Sequence, residues 1–248
     1  YAIVPDYYNG IVPKVVAKVG EKVKAGSVLM IDKNRPEIKF VSPVSGEVTA
    51  VNRGEKRKVL SVVVKPEAQI EYEDFGKKNV ASLKREEVKE AILHAGMWPF
   101  IKQRPYDIVA SPVDEPRDIF VSAFYSAPLA PNFDFVVKGQ EVDFQTGLDA
   151  LAKLTDGKVY VGIRKGSSVS VKGVETVEVE GPHPAANVGV QINHIKPINK
   201  GEVLPQQLTR LPALASILMT AAWFCRPKTR ALPSWHKSCM PAAALPVP

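Results

Sequence analysis

Two apolar, β-type runs broken by glycine-bearing turns occupy Ile11 to Val64 and limit what this chain can build. Val15, Ala17 and Val19 alternate with Lys14, Lys18 and Glu21, the period-two pattern of a half-buried strand. Gly20 and Gly26 bracket the link Glu21 to Ala25, where the chain has to turn tightly. Val28, Leu29 and Ile31 predict the next strand. Ser42-Pro43-Val44-Ser45-Gly46 repeats the turn cue, and Val48, Ala50 and Val51 follow it. Val59 to Val64 is nearly all apolar and predicts a core strand. Together these runs predict an all-β module of about 60 residues, small but sufficient for one core.

The pattern resembles a biotinyl/lipoyl-like barrel-sandwich. Modules of that kind either carry a swinging cofactor on a hairpin lysine or serve as rigid parts of a larger redox machine. The hairpin tip here is Asp32-Lys33-Asn34-Arg35-Pro36-Glu37. Lys33 is the only lysine of that tip, it has no Met neighbours, and Pro36 stiffens the turn. We read Lys33 as a solvated surface lysine. A biotin or lipoyl carrier therefore stands as a rival function, while the fold assignment is kept.

At 248 residues the chain has room for one or two domains. No run of about 18 to 20 apolar residues marks a transmembrane helix. The opening Tyr-Ala-Ile-Val-Pro-Asp has neither a signal-peptide pattern nor an initiator Met, so the sequence is expected to begin inside a larger protein. A net charge of +7 suggests nucleic acid until its distribution is read. Up to Glu202 there are 28 Lys+Arg against 26 Asp+Glu, and the last 46 residues hold five against none. No nucleic-acid partner is expected. Cys225 and Cys239, with His236 between them, lack a second pair to complete a metal set and are read as free thiols.

Three regions separate: a barrel-sandwich module over 1–78, an α/β region over 79–202, and an atypical tail over 203–248. In the middle region Ser82 is placed to cap a helix over Glu86 to Ala95, with Val88, Ala91, Ile92 and Ala95 on one face and Gly96 at its end. Asp118 to Phe124 predicts a buried strand, Gln145 to Leu154 a helix with Leu148, Leu151 and Leu154 as its apolar stripe. Lys158 to Ile163 and Glu175 to Glu180 predict two more strands. Strand, helix, strand in this order suggests a parallel unit and a Rossmann-like sheet, for an overall α+β or α/β chain. No Gly-x-Gly-x-x-Gly or Gly-Lys-Ser/Thr fingerprint accompanies it. Gly181-Pro182-His183-Pro184-Ala185 is a stiff turn after a strand. His183 is a candidate base or ligand contact, although turn histidines mostly serve structure.

Several of these stretches, in their order, resemble the A subunit of the bacterial Na(+)-translocating NADH:quinone oxidoreductase. They are Asp32-Lys33-Asn34, Phe40-Val41-Ser42-Pro43-Val44-Ser45-Gly46, Val51-Asn52-Arg53-Gly54-Glu55-Lys56-Arg57, Ser61-Val62-Val63-Val64, Gly96-Met97-Trp98-Pro99, Arg104-Pro105, Ile119-Phe120-Val121-Ser122-Ala123, Leu154-Thr155-Asp156-Gly157-Lys158-Val159-Tyr160-Val161 and Gly181-Pro182-His183-Pro184-Ala185. The match covers about 1–202, some four fifths of the chain. The resemblance implies a peripheral subunit on the cytoplasmic face of the bacterial inner membrane, within a complex that oxidises NADH, reduces ubiquinone and transports sodium. It implies a fold like the flavin subunit of complex I but no redox cofactor of its own. The expected partners are the other subunits, the membrane-embedded ones above all, and ubiquinone as a ligand.

The stretches linked by that resemblance to quinone contact are Val4 to Gly10, with Tyr7 and Tyr8, and Phe120 to Ala127, with Phe120, Phe124 and Tyr125. Aromatic faces suit a quinone headgroup, and tyrosine hydroxyls can donate to its carbonyls. The same aromatics also fit core or edge-strand positions, and the sequence leaves both open. A flavin-dependent NADH dehydrogenase subunit is the second rival function. After Glu202 the sequence departs from the family: Leu204 to Pro248 has seven prolines and no acid. We expect this tail to be a non-native or disordered end, with a membrane-docking amphipath over Leu211 to Phe224 as the competing idea.

Overall fold

The computed structural model describes residues 1–76 and 78–199, together with the backbone of Gln206–Leu208. These fall into two units, Tyr1–Gly76 with Glu90–Pro99, and 78–89 with 100–199 and 206–208. The readings placed on the tail, including its cysteines and the segment 211–224, lie outside the described residues apart from that short strand backbone.

The first unit is built from seven strands: β1 (Ala2–Ile3), β2 (Pro13–Val15), β3 (Lys22–Val23), β4 (Val28–Asp32), β5 (Lys39–Val41), β6 (Gly46–Arg53) and β7 (Val59–Pro66). They form two antiparallel sheets, ordered β1-β7-β6-β3 and β2-β4-β5. Leu29, Met30, Ile38 and Phe40 are buried from the smaller sheet and its hairpin, and Val48, Val62 and Val64 from the larger. The expected strand over Val15 to Val19 stops at Val15. Beyond it the amides of Val16 and Ala17 both donate to the Leu29 carbonyl, so the pairing is lost and Val19 is left exposed. The apolar run Val59 to Val64 forms β7, a strand with one face in the core. Val62 and Val64 alternate inward, Val59 is buried beyond a register shift, and Leu60 is 43% exposed, because an antiparallel sheet of this kind covers only one face.

Two features fix the turns. Gly20 and Gly26 have φ of 86° and 105°, the left-handed region that side chains avoid, as the turn reading requires. At the hairpin tip, Asp32 is fully buried and acts as the organiser. Its carboxylate accepts from the amides of Val12 (3.0 Å) and Asn34 (3.2 Å) and pairs with the Arg35 guanidinium at 2.8 Å. Lys33 is exposed beside it.

Helix α1 (Arg85–His94) runs across the division between the units. Ser82 does not cap it; its hydroxyl donates to the Asn79 carbonyl inside a separate 3-10 turn, Val80–Ser82. The cap is made from the other side. Glu87, in the first turn, accepts from the Lys84 amide at 2.7 Å, the carboxylate half of a capping box.

The second unit holds a six-stranded mixed sheet, from β8 (Ile101–Gln103), β9 (Ile108–Val109), β10 (Ile119–Ser122), β11 (Val159–Arg164), β12 (Glu175–Val179) and β13 (Gln206–Leu208), ordered β12-β11-β10-β13-β8-β9. β12, β11, β10 and β13 are mutually parallel, and β8 pairs antiparallel with both β13 and β9. The parallel pairing of β10 with β11, Ile119 opposite Val159, is the unit the sequence pattern suggests. Between those strands lie α2 (Phe133–Val137) and α3 (Glu141–Ala152). α3 begins four residues before the expected Gln145 and ends before Leu154, which is buried beyond the helix. Its start follows Gly139, at φ 80°, and places Glu141 and Asp143 in the first turn, where the helix dipole favours acids. α4 (Val188–Ile195) has no counterpart in the sequence reading; Asn187 caps it through its side chain. Val188 and Ile192 pack it on Phe120, which also stacks on Tyr160 at a centroid distance of 4.9 Å.

Candidate functional site

In open parallel sheets the loops leaving the carboxyl ends of the strands form the usual ligand crevice. Here the segments after β10, β11 and β12 surround a cavity of about 940 Å³. The first contributes Phe124, Tyr125, Ser126 and, further on, Phe133; the second Arg164 to Ser167; the third Val179 to His183.

Each wall is held by its own hydrogen bonds. After β10, the Ser126 hydroxyl oxygen lies 3.1 Å from His183 Nδ1 and accepts from the Ala186 amide at 3.0 Å. This ties the first and third segments together. Asp134 at the start of α2 accepts from the Ser167 hydroxyl at 2.6 Å and the Ser168 amide at 3.2 Å, which ties the first to the second. Lys165 pairs with Glu180 at 2.8 Å across the second and third. Arg164 is exposed and makes no ion pair among the described residues. Beneath the rim, Phe133 is buried edge-on against Phe144 at 5.6 Å.

Behind the third segment lies a buried polar relay. Ser122, the last residue of β10, donates from its hydroxyl to the Ala186 carbonyl at 2.9 Å. Gln191 of α4 donates its amide to the Ser122 hydroxyl at 3.1 Å and to the Ala185 carbonyl at 3.4 Å. The backbone at Ala185 and Ala186, which carries the Ser126 contact, is thus fixed from the strand and from the helix. Buried polar groups satisfied in this way rigidify what they hold.

The structure brings Phe124, Tyr125 and His183 to this cavity. Phe124 is buried in its wall, and the Tyr125 hydroxyl is buried too. Phe120 is elsewhere, only 1% exposed in the core beneath α4. Tyr7 and Tyr8 belong to the first unit. Tyr7 is exposed, whereas Tyr8 is buried with its ring edge-on to Phe40 at 4.8 Å, and that burial drives its phenol well above the ordinary tyrosine range. Sequence reasoning does not single out Ser126, Asp134, Arg164, Ser167 or Gln191. The signal available was position: Ser126 and Arg164 lie just past the end of a predicted strand.

Among the described residues no group of three or more His, Cys, Asp or Glu is placed to hold a metal ion. Nor is any helix among them long and apolar enough to cross a membrane. The cavity offers hydrogen-bond donors and acceptors, charges of both signs and an aromatic wall, a setting suited to orienting a planar ligand with polar substituents.

Fold and site together define a barrel-sandwich module followed by an α/β domain with a crevice at its strand ends. Residues 1–67 match the family model for the NqrA N-terminal barrel-sandwich hybrid domain, and residues 83–206 match that for the NqrA second alpha/beta domain. The chain is 38% identical over 207 residues to the A subunit of the Na(+)-translocating NADH-quinone reductase of Vibrio atlanticus, an alignment covering 82% of this chain and 46% of that protein. It is 36% identical over 208 residues to the subunit of the same name from Neisseria meningitidis, covering 82% and 46%. With the corresponding protein of Photorhabdus laumondii the identity is 34% over 203 residues, covering 80% and 45%. The chain belongs to the NqrA family. It spans about half the length of the curated relatives it matches.

Proposed function

We propose that the chain acts as part of the A subunit of a Na(+)-translocating NADH-quinone reductase, contributing to quinone binding and to assembly of the complex. The reaction of the whole complex is NADH:ubiquinone reduction coupled to sodium transport, with the redox carriers on partner subunits. The protein is peripheral and sits on the cytoplasmic face of the membrane, against the membrane-embedded subunits. The observation that carries the quinone reading is the cavity at the carboxyl ends of β10, β11 and β12, where Phe124, Tyr125 and His183 meet. An aromatic wall favours the flat headgroup, and the exposed His183 imidazole is suited to one of its carbonyls.

The test is calorimetric titration of the full chain with a short-chain ubiquinone, alongside Phe124→Ala and His183→Ala. Saturable binding that weakens in both variants supports the reading. His183 is exposed, so its replacement leaves the core intact and guards against a merely misfolded Phe124 variant. Absence of binding to the unaltered chain, or binding untouched by both substitutions, overturns it.

A further inference from the structure

We propose that Ser126 is a positioning residue that fixes the tautomer of His183, so that the imidazole presents Nε2–H as a hydrogen-bond donor for an acceptor oxygen of a ligand in the cavity. The inference deepens the quinone reading and rests on it only for the identity of that ligand.

A serine hydroxyl has a single hydrogen to donate and two lone pairs to accept with. At Ser126 one lone pair is taken by the Ala186 amide, which can only donate. The remaining close partner is His183 Nδ1 at 3.1 Å. The Ser126 hydrogen is used within the protein if it goes to Nδ1, and Nδ1 is then the unprotonated, accepting nitrogen. In neutral imidazole the other nitrogen must carry the proton. Were Nδ1 the protonated one, both it and the amide would donate to the same oxygen, and the hydroxyl hydrogen would have no protein acceptor among the described residues. The first arrangement satisfies all three groups.

The surroundings hold the Ala186 amide in place against Ser126. Ala186, which donates to Ser126, is held by Ser122 through its carbonyl, and Gln191 secures both Ser122 and Ala185. Ser126 is therefore an orienter in the sense known for metal-binding and catalytic histidines, whose free nitrogen is set by the bond the other one makes. His183 lines the cavity and is exposed. Lys165 and Glu180, which also line the cavity, pair with each other. A fixed donor selects a carbonyl or oxyanion oxygen, and selects against a ligand presenting a donor at that point.

The test reads the tautomer without any ligand. The full chain is labelled with ¹⁵N-histidine, the His183 signal is assigned by its loss in His183→Gln, and the two ring nitrogens are followed to the neutral form. We expect Nε2–H to dominate in the unaltered chain, the preference to relax toward that of a free imidazole in Ser126→Ala, and Ser126→Thr to restore it. Dominance of Nδ1–H, or the same tautomer mixture in the unaltered chain and Ser126→Ala, overturns the proposal. A second arm titrates short-chain ubiquinone into the same proteins. Loss of one oriented neutral hydrogen bond weakens binding roughly threefold to tenfold in Ser126→Ala. Binding that is equal in the unaltered chain, Ser126→Ala and His183→Ala also overturns it. If the unaltered chain fails to bind ubiquinone, the quinone reading falls, and the tautomer comparison alone decides the role of Ser126.

Discussion

Replacing Gly162 by alanine should destabilise the second unit through one identifiable collision. Gly162 lies in β11 opposite Ser122 of β10. A Cβ added there would come within 2.3 Å of Gln191 Oε1 and 2.8 Å of its Cδ, closer than any real contact. Gln191 is 3% exposed, so its amide has no open space to swing into. Moving it forfeits the bonds to Ser122 and Ala185, roughly 0.5–1.5 kcal/mol each. Forcing a methyl into a packed interior adds about 1–3 kcal/mol of strain. The expected cost of Gly162→Ala is therefore roughly 2–6 kcal/mol, read as a lower urea midpoint at an unchanged slope. The decisive measurement is a double-mutant cycle with Gln191→Ala. That substitution alone loses the same two hydrogen bonds but leaves room for the methyl. In the double variant the collision is gone and the hydrogen bonds are counted once, so it should be more stable than the sum of the singles predicts by the whole cost of Gly162→Ala, roughly 2–6 kcal/mol. Additive costs, agreeing within about 0.5 kcal/mol, would refute the collision and the relay behind the cavity with it.

Two further outcomes concern the first unit. Asp32→Ala removes the buried acceptor shared by Val12, Asn34 and Arg35. Removing one partner of a buried ion pair costs about 3–5 kcal/mol, and Arg35, whose side chain is 22% exposed, can recover some hydration, so a loss near the lower end is expected. Hydrogen exchange at the Val12 and Asn34 amides should accelerate at the same time, and unchanged protection there would contradict the organising role. Tyr8 gives a pH effect. Burial raises its phenol in the folded chain, so the unfolded chain loses this proton first; stability is intact below about pH 10 and falls as pH rises beyond it. Tyr8→Phe should flatten that alkaline limb in denaturation midpoints taken between pH 8 and 11, and parallel profiles for the two proteins would show that Tyr8 does not set it.

Much of the fold was legible because binary pattern and turn chemistry agree locally. β4, β6, β7, β10 and β11 lie where alternation or apolar runs put them, and Gly20 and Gly26 take the backbone conformation their turns demand. The departures were decided by partners out of reach of a local window. Val16 and Ala17 leave the strand because both amides find the single Leu29 carbonyl, and nothing at 15–19 announces that. Glu87 rather than Ser82 makes the cap because Asn79 draws the Ser82 hydroxyl into a 3-10 turn of its own. α4 escapes a local reading since its short run, Val-Gly-Val-Gln-Ile-Asn-His-Ile, begins after a proline-rich turn and holds a glycine and four β-branched residues, poor helix formers that only packing against Phe120 makes worthwhile.

The stretch Phe120 to Ala127 shows why residue type alone cannot locate a site. In sequence it is one aromatic segment, yet it passes from core to cavity within a few residues. Phe120 stands mid-strand, where β10 is flanked by β11 and β13 and covered by α4, and all four residues of β10 are buried. At Ser122 the strand ends, the pairing constraint lapses, and the chain turns across the carboxyl ends of its neighbours. Phe124, Tyr125 and Ser126 therefore reach the cavity while Phe120, chemically identical to Phe124, is spent on packing. The coordinate that separates them is distance along the strand axis, which a sequence yields only once the strand's end is known. The same coordinate picks out Arg164 at the end of β11 and Val179 at the end of β12, with the rim residues that follow each. A crevice of this kind is assembled from strand ends, so its chemistry is dispersed over three short segments, none of which carries a motif by itself.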